Sequence, residues 1–110
     1  MEIYCSLRIR TKSNVEIVNK IMKKKSHEKY DNCWKIDIKA TKNKSYWEVL
    51  NTLIDLVEKN IPKLQLEGIE KDDITLWMLC EFSGQCNLEF NPKTLERIGN
   101  NGITFCISYF

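Results

Sequence analysis

Side chains able to do covalent or metal chemistry are few in this chain and poorly spaced for it. There are five cysteines, Cys5, Cys33, Cys80, Cys86 and Cys106, and a single histidine, His27. A disulfide framework or a zinc site wants cysteines in pairs at regular spacing. These are odd in number, show no CxxC spacing, and each sits in or beside a strand-like run. They read as small reduced side chains of a core. His27 lies in a lysine-rich polar segment, where it reads as solvated, and nothing brings it to a cysteine as base to nucleophile. No G-x-x-x-x-G-K, G-x-G-x-x-G or G-x-S-x-G run is present. The expectation is a domain with no catalytic residue, no metal and no cofactor.

Two polar clusters could still bind something. Glu81, Gln85, Asn87 and Glu89 fall along a strand-like hairpin, with Trp77 and Tyr109 available as an aromatic rim. They share a face only for some strand registers. Charge-depleted patches with aromatics are typical of protein-binding surfaces, so these six residues are the candidate partner site. Lys20, Lys23, Lys24, Lys25 and Lys29 form the second cluster. Such a run is ordinarily a solvated helix end, where cations complement the helix dipole. It is also the candidate nucleic-acid contact. Sheet-based RNA readers, however, want exposed aromatics on a central strand, and the periodicity here predicts those aromatics to be buried.

The elements that would position these clusters are legible from hydrophobic period. Residues 2–10 alternate Ile3, Cys5, Leu7 and Ile9 against Tyr4, Ser6, Arg8 and Arg10, a half-buried strand. Ser13-x-x-Glu16 matches a capping box ahead of a short helix carrying Val15, Val18, Ile21 and Met22. Trp34, Ile36, Ile38 and Ala40 give a second strand with one wet face. A second capping box, Ser45-x-x-Glu48, opens the longest helix, whose stripe runs Trp47, Leu50, Leu53, Ile54, Val57, Ile61. Pro62 should stop it near Asn60, leaving residues 63–73 as a connector that tucks Leu64 and Leu66 under the helix end.

Residues 74–82 are apolar in both phases, with Trp77 and Leu79 opposing Leu76, Met78 and Cys80, so this strand is expected to be central and covered on both sides. Ser83-Gly84 turns it into a partner strand through Cys86, Leu88 and Phe90, by a two- or a three-residue loop. Asn91-Pro92 starts a helix with Leu95 and Ile98 inward, and Gly99 to Gly102 ends it. A last strand, residues 103–110, closes the chain, so that losing a few of its residues should unfold the protein. The expected fold is α+β, a two-layer sandwich with a mainly antiparallel sheet of about five strands in the order β-α-β-α-β-β-α-β.

Composition narrows the class. A chain of 110 residues, 43% hydrophobic and 29% charged, is expected to be one globular domain. Net charge is +2, from 17 basic and 15 acidic residues, too balanced to favour nucleic acid or an anionic membrane surface. No apolar run approaches the roughly 20 residues of a spanning helix, and no basic-then-apolar leader opens the sequence. A cytoplasmic location is expected.

From Ile74 the run W-x-L-C-E-F-S-G-Q-C-N-L-E-F-N-P-K-T-L-E-R-I-G-N-N-G-I, with its closing I-S-Y, resembles the small bacterial proteins of the domain-of-unknown-function family numbered 4279. Those proteins show an opening strand, an inner tryptophan after a first helix (here Trp34), a Gly-rich hairpin, a Pro-started helix and a final strand ending in an aromatic. The chain departs from them in its short loop before Trp34. The resemblance implies a fold and transfers no functional residue. Small proteins similar to it are associated with immunity roles in bacterial toxin systems. The expectation is therefore a protein-binding domain, specifically an immunity or inhibitor protein that neutralises a toxin partner. The alternative is a small regulatory RNA- or ligand-binding domain. Oligomeric state and the free edge of the sheet are left open by sequence.

Overall fold

A computed structural model of the chain describes residues 2–12, 14–27, 32–81, 84 and 87–110. Strand β1 (Glu2–Arg10) is followed by helix α1 (Val15–Met22), β2 (Cys33–Lys39), α2 (Tyr46–Glu58) and α3 (Ile61–Leu66). A 3-10 turn at Lys71–Asp73, β3 (Ile74–Glu81), α4 (Pro92–Asn100) and β4 (Thr104–Tyr109) complete it. Among the described residues the sheet has four strands, in the order β2-β1-β3-β4. β1 pairs antiparallel with both β2 and β3, whereas β3 and β4 run parallel. The fold is thus α+β as expected, but the sheet is mixed and, among the described residues, one strand short of the expected five.

The missing strand explains the mixed character. The hairpin partner expected through Cys86, Leu88 and Phe90 does not form where it is described: residues 87–90 have no strand pairing. Leu88 and Phe90 instead pack against the core, with the Phe90 ring edge-on to Trp47 and Phe105 at 5.5 and 6.0 Å between centroids. Without a hairpin return, α4 carries the chain back across the sheet, and a helical crossover delivers a parallel strand. Ser83, Gln85 and Cys86, and with them the loop register left open above, lie outside the described residues.

Helix starts follow local chemistry. At α2 both halves of the expected capping box are made: the Glu48 amide donates to Ser45 Oγ (3.4 Å) and the Ser45 amide to Glu48 Oε2 (3.1 Å). Asn91 caps α4 through the Lys93 amide (2.9 Å), with Pro92 in the first turn. At α1 the cap is Asn14, which accepts from the Glu16 amide at 3.1 Å; Ser13, the expected cap, lies outside the described residues.

Residues 61–66 correct the connector reading. Pro62 ends α2 but also sits in the first turn of α3, the one helical place that tolerates it. In a helix, residues two apart face opposite ways. Leu64 is therefore fully buried while Leu66 is 87% exposed, where both were expected underneath. A similar correction applies in α4. Ile98 is buried, but Leu95 stands 41% exposed and the second inward residue is Thr94, whose hydroxyl reaches Asn51 Oδ1 (3.3 Å). Arg97 ties α4 to Asp55 (2.6 Å) and Glu58 (3.5 Å) of α2.

All four helices contribute to one core cluster on a single face of the sheet. Val18 and Met22 of α1, Leu50, Leu53, Ile54 and Val57 of α2, Leu64 of α3 and Ile98 of α4 meet Ile3, Cys5, Leu7, Ile9, Trp34, Ile36, Ile74, Leu76 and Met78. The register confirms a common side, with Leu7 opposite both Ile36 and Leu76 and Cys5 opposite Met78. Trp34 is fully buried and its indole Nε1 donates to the Lys24 carbonyl (3.2 Å), so it brings no unpaired donor inside.

Candidate functional site

The other phase of every strand points away from the helices. Register places Tyr4, Ser6 and Arg8 of β1 beside Leu79, Trp77 and Thr75 of β3, and beside Lys39, Asp37 and Lys35 of β2; Cys106 of β4 lies against Trp77. No described helix packs there. β3 is central, as expected, but the expectation that it is covered on both sides fails: Trp77 and Leu79 are only half-buried, while Leu76 and Met78 behind them are buried.

Trp77 is the centre of this face. Its indole Nε1 donates to Thr75 Oγ1 (3.0 Å), two residues back on the same strand face. The Arg8 guanidinium lies over the ring, 4.6 Å from its centroid, and donates through Nε to Ser6 Oγ (3.2 Å). Such a cation over an indole is a stacked, partly desolvated arrangement. Beneath it Ser6 is fully buried although it points to the helix-free side. Toward one end the face dips into a hollow of about 280 Å³ lined by Arg8, Arg10, Cys33, Asp73, Thr75 and Trp77.

Around this centre the charges are paired. Arg10 meets Asp73 (3.2 Å), Lys35 meets Asp37 (3.3 Å), and Lys39 meets Glu2 (3.0 Å) while its Nζ lies 5.8 Å from the Tyr4 ring centroid. The Lys39 ammonium holds the Glu2 carboxyl below its usual range, and Glu2 in turn raises Lys39. Asp73 is held low chiefly by the Glu70 amide, which donates to its Oδ2 at 3.0 Å; burial opposes this, and Arg10 adds to the lowering. Of the four cations on this face, only Arg8 has no carboxylate partner among the described residues.

The expected partner-site residues do not come together as one patch. Trp77 and Glu81 share the helix-free face, two strand steps apart in the same phase. Tyr109, 57% exposed, pairs with Cys80 and so lies on the helix side of β4. Asn87 and Glu89 are exposed on the segment that crosses the helix layer, where the Glu89 carbonyl accepts from the Tyr46 hydroxyl (3.0 Å). Gln85 lies outside the described residues. Sequence reasoning missed Tyr4, Arg8 and Leu79; the signal available was the wet phase of the first strand, which register sets beside Trp77.

The lysine cluster is elsewhere. Lys20, Lys23, Lys24 and Lys25 sit at and beyond the end of α1 in the helix layer, with Lys23 as the left-handed cap (φ 56°); Lys29 lies outside the described residues. They share no face with Trp77. His27 is exposed as expected yet has a structural task, its amide donating to the Lys35 carbonyl (2.7 Å) and its Nδ1 accepting from the Asp37 amide (3.0 Å).

Cys5, Cys33, Cys80 and Cys106 are free thiols. Burial, and secondarily the nearby Cys80, pushes Cys5 up to about 12, so it is protonated and inert. Among the described residues no three His, Cys, Asp or Glu side chains converge as a metal-ligand set, and no helix is long and apolar enough to cross a membrane. No family model, no curated protein and no solved structure matches the chain.

Proposed function

We propose that the chain is a non-enzymatic protein-binding domain whose working surface is the helix-free face of the sheet. In its most specific form this is a cytoplasmic immunity-type inhibitor that caps a toxin partner, as the resemblance to family 4279 implies. The observation that carries the binding reading is Trp77, half-buried at the middle of that face under Arg8. Tryptophan, tyrosine and arginine are the residues over-represented at the energetic centres of protein interfaces. Here Trp77 and Arg8 form the centre, Tyr4 and Leu79 flank it, and the paired ions Arg10–Asp73, Lys35–Asp37 and Lys39–Glu2 make a polar rim. An apolar-aromatic centre inside a polar rim is the anatomy of a protein-binding patch.

A regulatory RNA-binding domain is the second reading, and the same tryptophan favours it, because it stands half-open on an inner strand as base-stacking aromatics do. Against it, three of the four cations on the face are already neutralised by carboxylates, leaving Arg8 as the free charge for a phosphate chain. The lysines that could supply more lie in the other layer.

The test is capture from the native cells on immobilised chain, with nuclease present, comparing wild type with Trp77→Ala and Arg8→Glu, each verified as folded by circular dichroism. The expected result is one stoichiometric protein held by wild type and lost from both variants. A protein retained equally by both would remove the helix-free face as the site. Recovery of nucleic acid, with affinity falling steeply in salt, would replace the reading by the second one.

A further inference from the structure

The two edges of the sheet are finished differently. Along β2 the outward backbone groups are occupied by the chain itself. The Lys35 amide donates to Ser26 Oγ (2.9 Å), the Lys35 carbonyl accepts from the His27 amide (2.7 Å), and the Asp37 amide donates to His27 Nδ1 (3.0 Å). A strand so covered cannot accept a further strand at those positions.

Along β4 the described residues build nothing comparable at Phe105 and Ile107. The Phe110 amide donates to the Cys80 carbonyl (3.1 Å), which fixes the parity of the parallel ladder. Thr104, Cys106 and Ser108 therefore turn their backbone groups to β3, and Phe105 and Ile107 turn theirs outward. No hydrogen bond from the described residues reaches those outward groups. Natural edge strands are ordinarily blunted by charge, proline, bulges or a covering loop. Residues 103–110, ITFCISYF, contain no charged residue and no proline, and Ile107 and Tyr109 beside the edge are 40% and 57% exposed.

We propose that β4 pairs antiparallel with β4 of a second copy of this chain, about a two-fold axis perpendicular to the sheet that passes midway between the two Ile107 residues. The strand is complementary to itself. With Ile107 opposite Ile107, Phe105 falls opposite Tyr109 on the helix side, and Cys106 falls opposite Ser108 on the helix-free side. Aromatic and β-branched cross-strand pairs are stabilising, and no like charges meet along the contact. The outward amides and carbonyls of Ile107 exchange hydrogen bonds with their symmetry mates, an isologous contact that closes after two copies. The result is an eight-stranded sheet, within the ordinary range, with both helix-free faces on the same side. The contact is independent of what that face binds.

Sedimentation equilibrium of the full chain from about 1 to 500 µM, the range of weak specific association, reads the outcome directly. Wild type is expected to pass from its 13.0 kDa monomer to twice that mass within the range. Ile107→Lys, which sets two ammonium groups opposite each other, and Ile107→Pro, which removes an amide that β3 does not use, are expected to stay monomeric with unchanged circular dichroism. Geometry is read separately by Ser108→Cys. In the proposed register position 108 faces Cys106 of the other copy as a non-hydrogen-bonded pair about 4.5 Å apart at Cα, within disulfide reach, so mild oxidation should yield a covalent dimer. A wild type monomeric at every concentration, a dimer unaffected by Ile107→Lys, or oxidised Ser108→Cys that stays monomeric would each overturn the proposal. Pairing of β4 with a different protein's strand would do so as well.

Discussion

Leu76 and Leu79 sit three residues apart on the same central strand, and replacing each with alanine should give opposite results in two assays. Leu76 is 1% exposed and belongs to the core cluster on the helix side of the sheet. Its truncation removes buried carbons and leaves a cavity that packed neighbours fill only in part, so the loss should be about 2–5 kcal/mol. Leu79 is half-buried on the helix-free face. Roughly half of the 1.5–3 kcal/mol transfer term for a buried leucine applies to it, and the space left opens to water, so no cavity term is added. Its truncation should cost about 1 kcal/mol. With urea slopes of about 1–3 kcal/mol/M for a domain of this size, a loss of about 3 kcal/mol moves the Leu76→Ala midpoint by about 1–3 M. The Leu79→Ala shift should be about a third of that. In the capture assay the ranking should reverse, with Leu79→Ala weakening partner binding and Leu76→Ala leaving it intact at temperatures where the variant is folded. Equal midpoints for the two variants would mean that β3 is covered on both faces, and the reasoning that makes the helix-free face a working surface would fall with it.

Acid stability should depend measurably on Asp73. Its carboxyl is held low in the fold by the Glu70 amide and then Arg10, so it adds stability above the ordinary carboxylate pKa and loses that stability as pH falls through its lowered folded value. Asp73→Asn should therefore be less stable than wild type near neutrality, and the gap in urea midpoint should close in acid; a gap independent of pH would contradict the assignment. Thiol reactivity should separate by face as well. Cys5, protonated and fully buried, should resist iodoacetamide at pH 8 in the native state and react only on unfolding. Cys33 and Cys106, half-buried on the helix-free side, should react well before Cys5; mass mapping that found Cys5 modified at the same rate would refute the core placement of its strand phase.

Where the sequence carried a local mechanism, the fold was readable from it. Ser45 and Glu48 specify a helix start by reciprocal bonds that involve no other part of the chain, and Asn91-Pro92 does the same. Alternation in residues 2–10 and 74–81 fixed which side chains share a face. What failed depended on distant partners. Pro62 stops one helix and fits the first turn of the next equally well, and only the packing of Leu64 decides for a helix. Leu88 and Phe90 alternate as a strand would, but Trp47 and Phe105 hold Phe90 in an unpaired segment instead. The candidate site suffered from the same limit. Trp77 looked buried because apolar residues in both phases suggest two covered faces, and the count of helices available to cover them is set by topology. Arg8 was invisible as a site residue because its partner is sixty-nine positions away in sequence and adjacent only through strand register.

The position of β1 has a bearing on how the molecule comes to be folded. It is an inner strand, but its two neighbours arrive at different times: β2 follows after one short helix, whereas β3 comes only after α2 and α3, with Ile3 set against Cys80 and Ile9 against Ile74. Closing so long a loop must precede the contacts that reward it, which makes such topologies slow folders for their size. On a ribosome β1 is made before the other three described strands, yet its second flank is filled late. Until then Ile3, Cys5, Leu7 and Ile9 have only β2 and the early helices to shelter them. β3, α4 and β4, by contrast, are contiguous and can assemble on one another as they emerge. Synthesis order and assembly order therefore run against each other in this chain, and its nascent form offers chaperones a specific strand to hold.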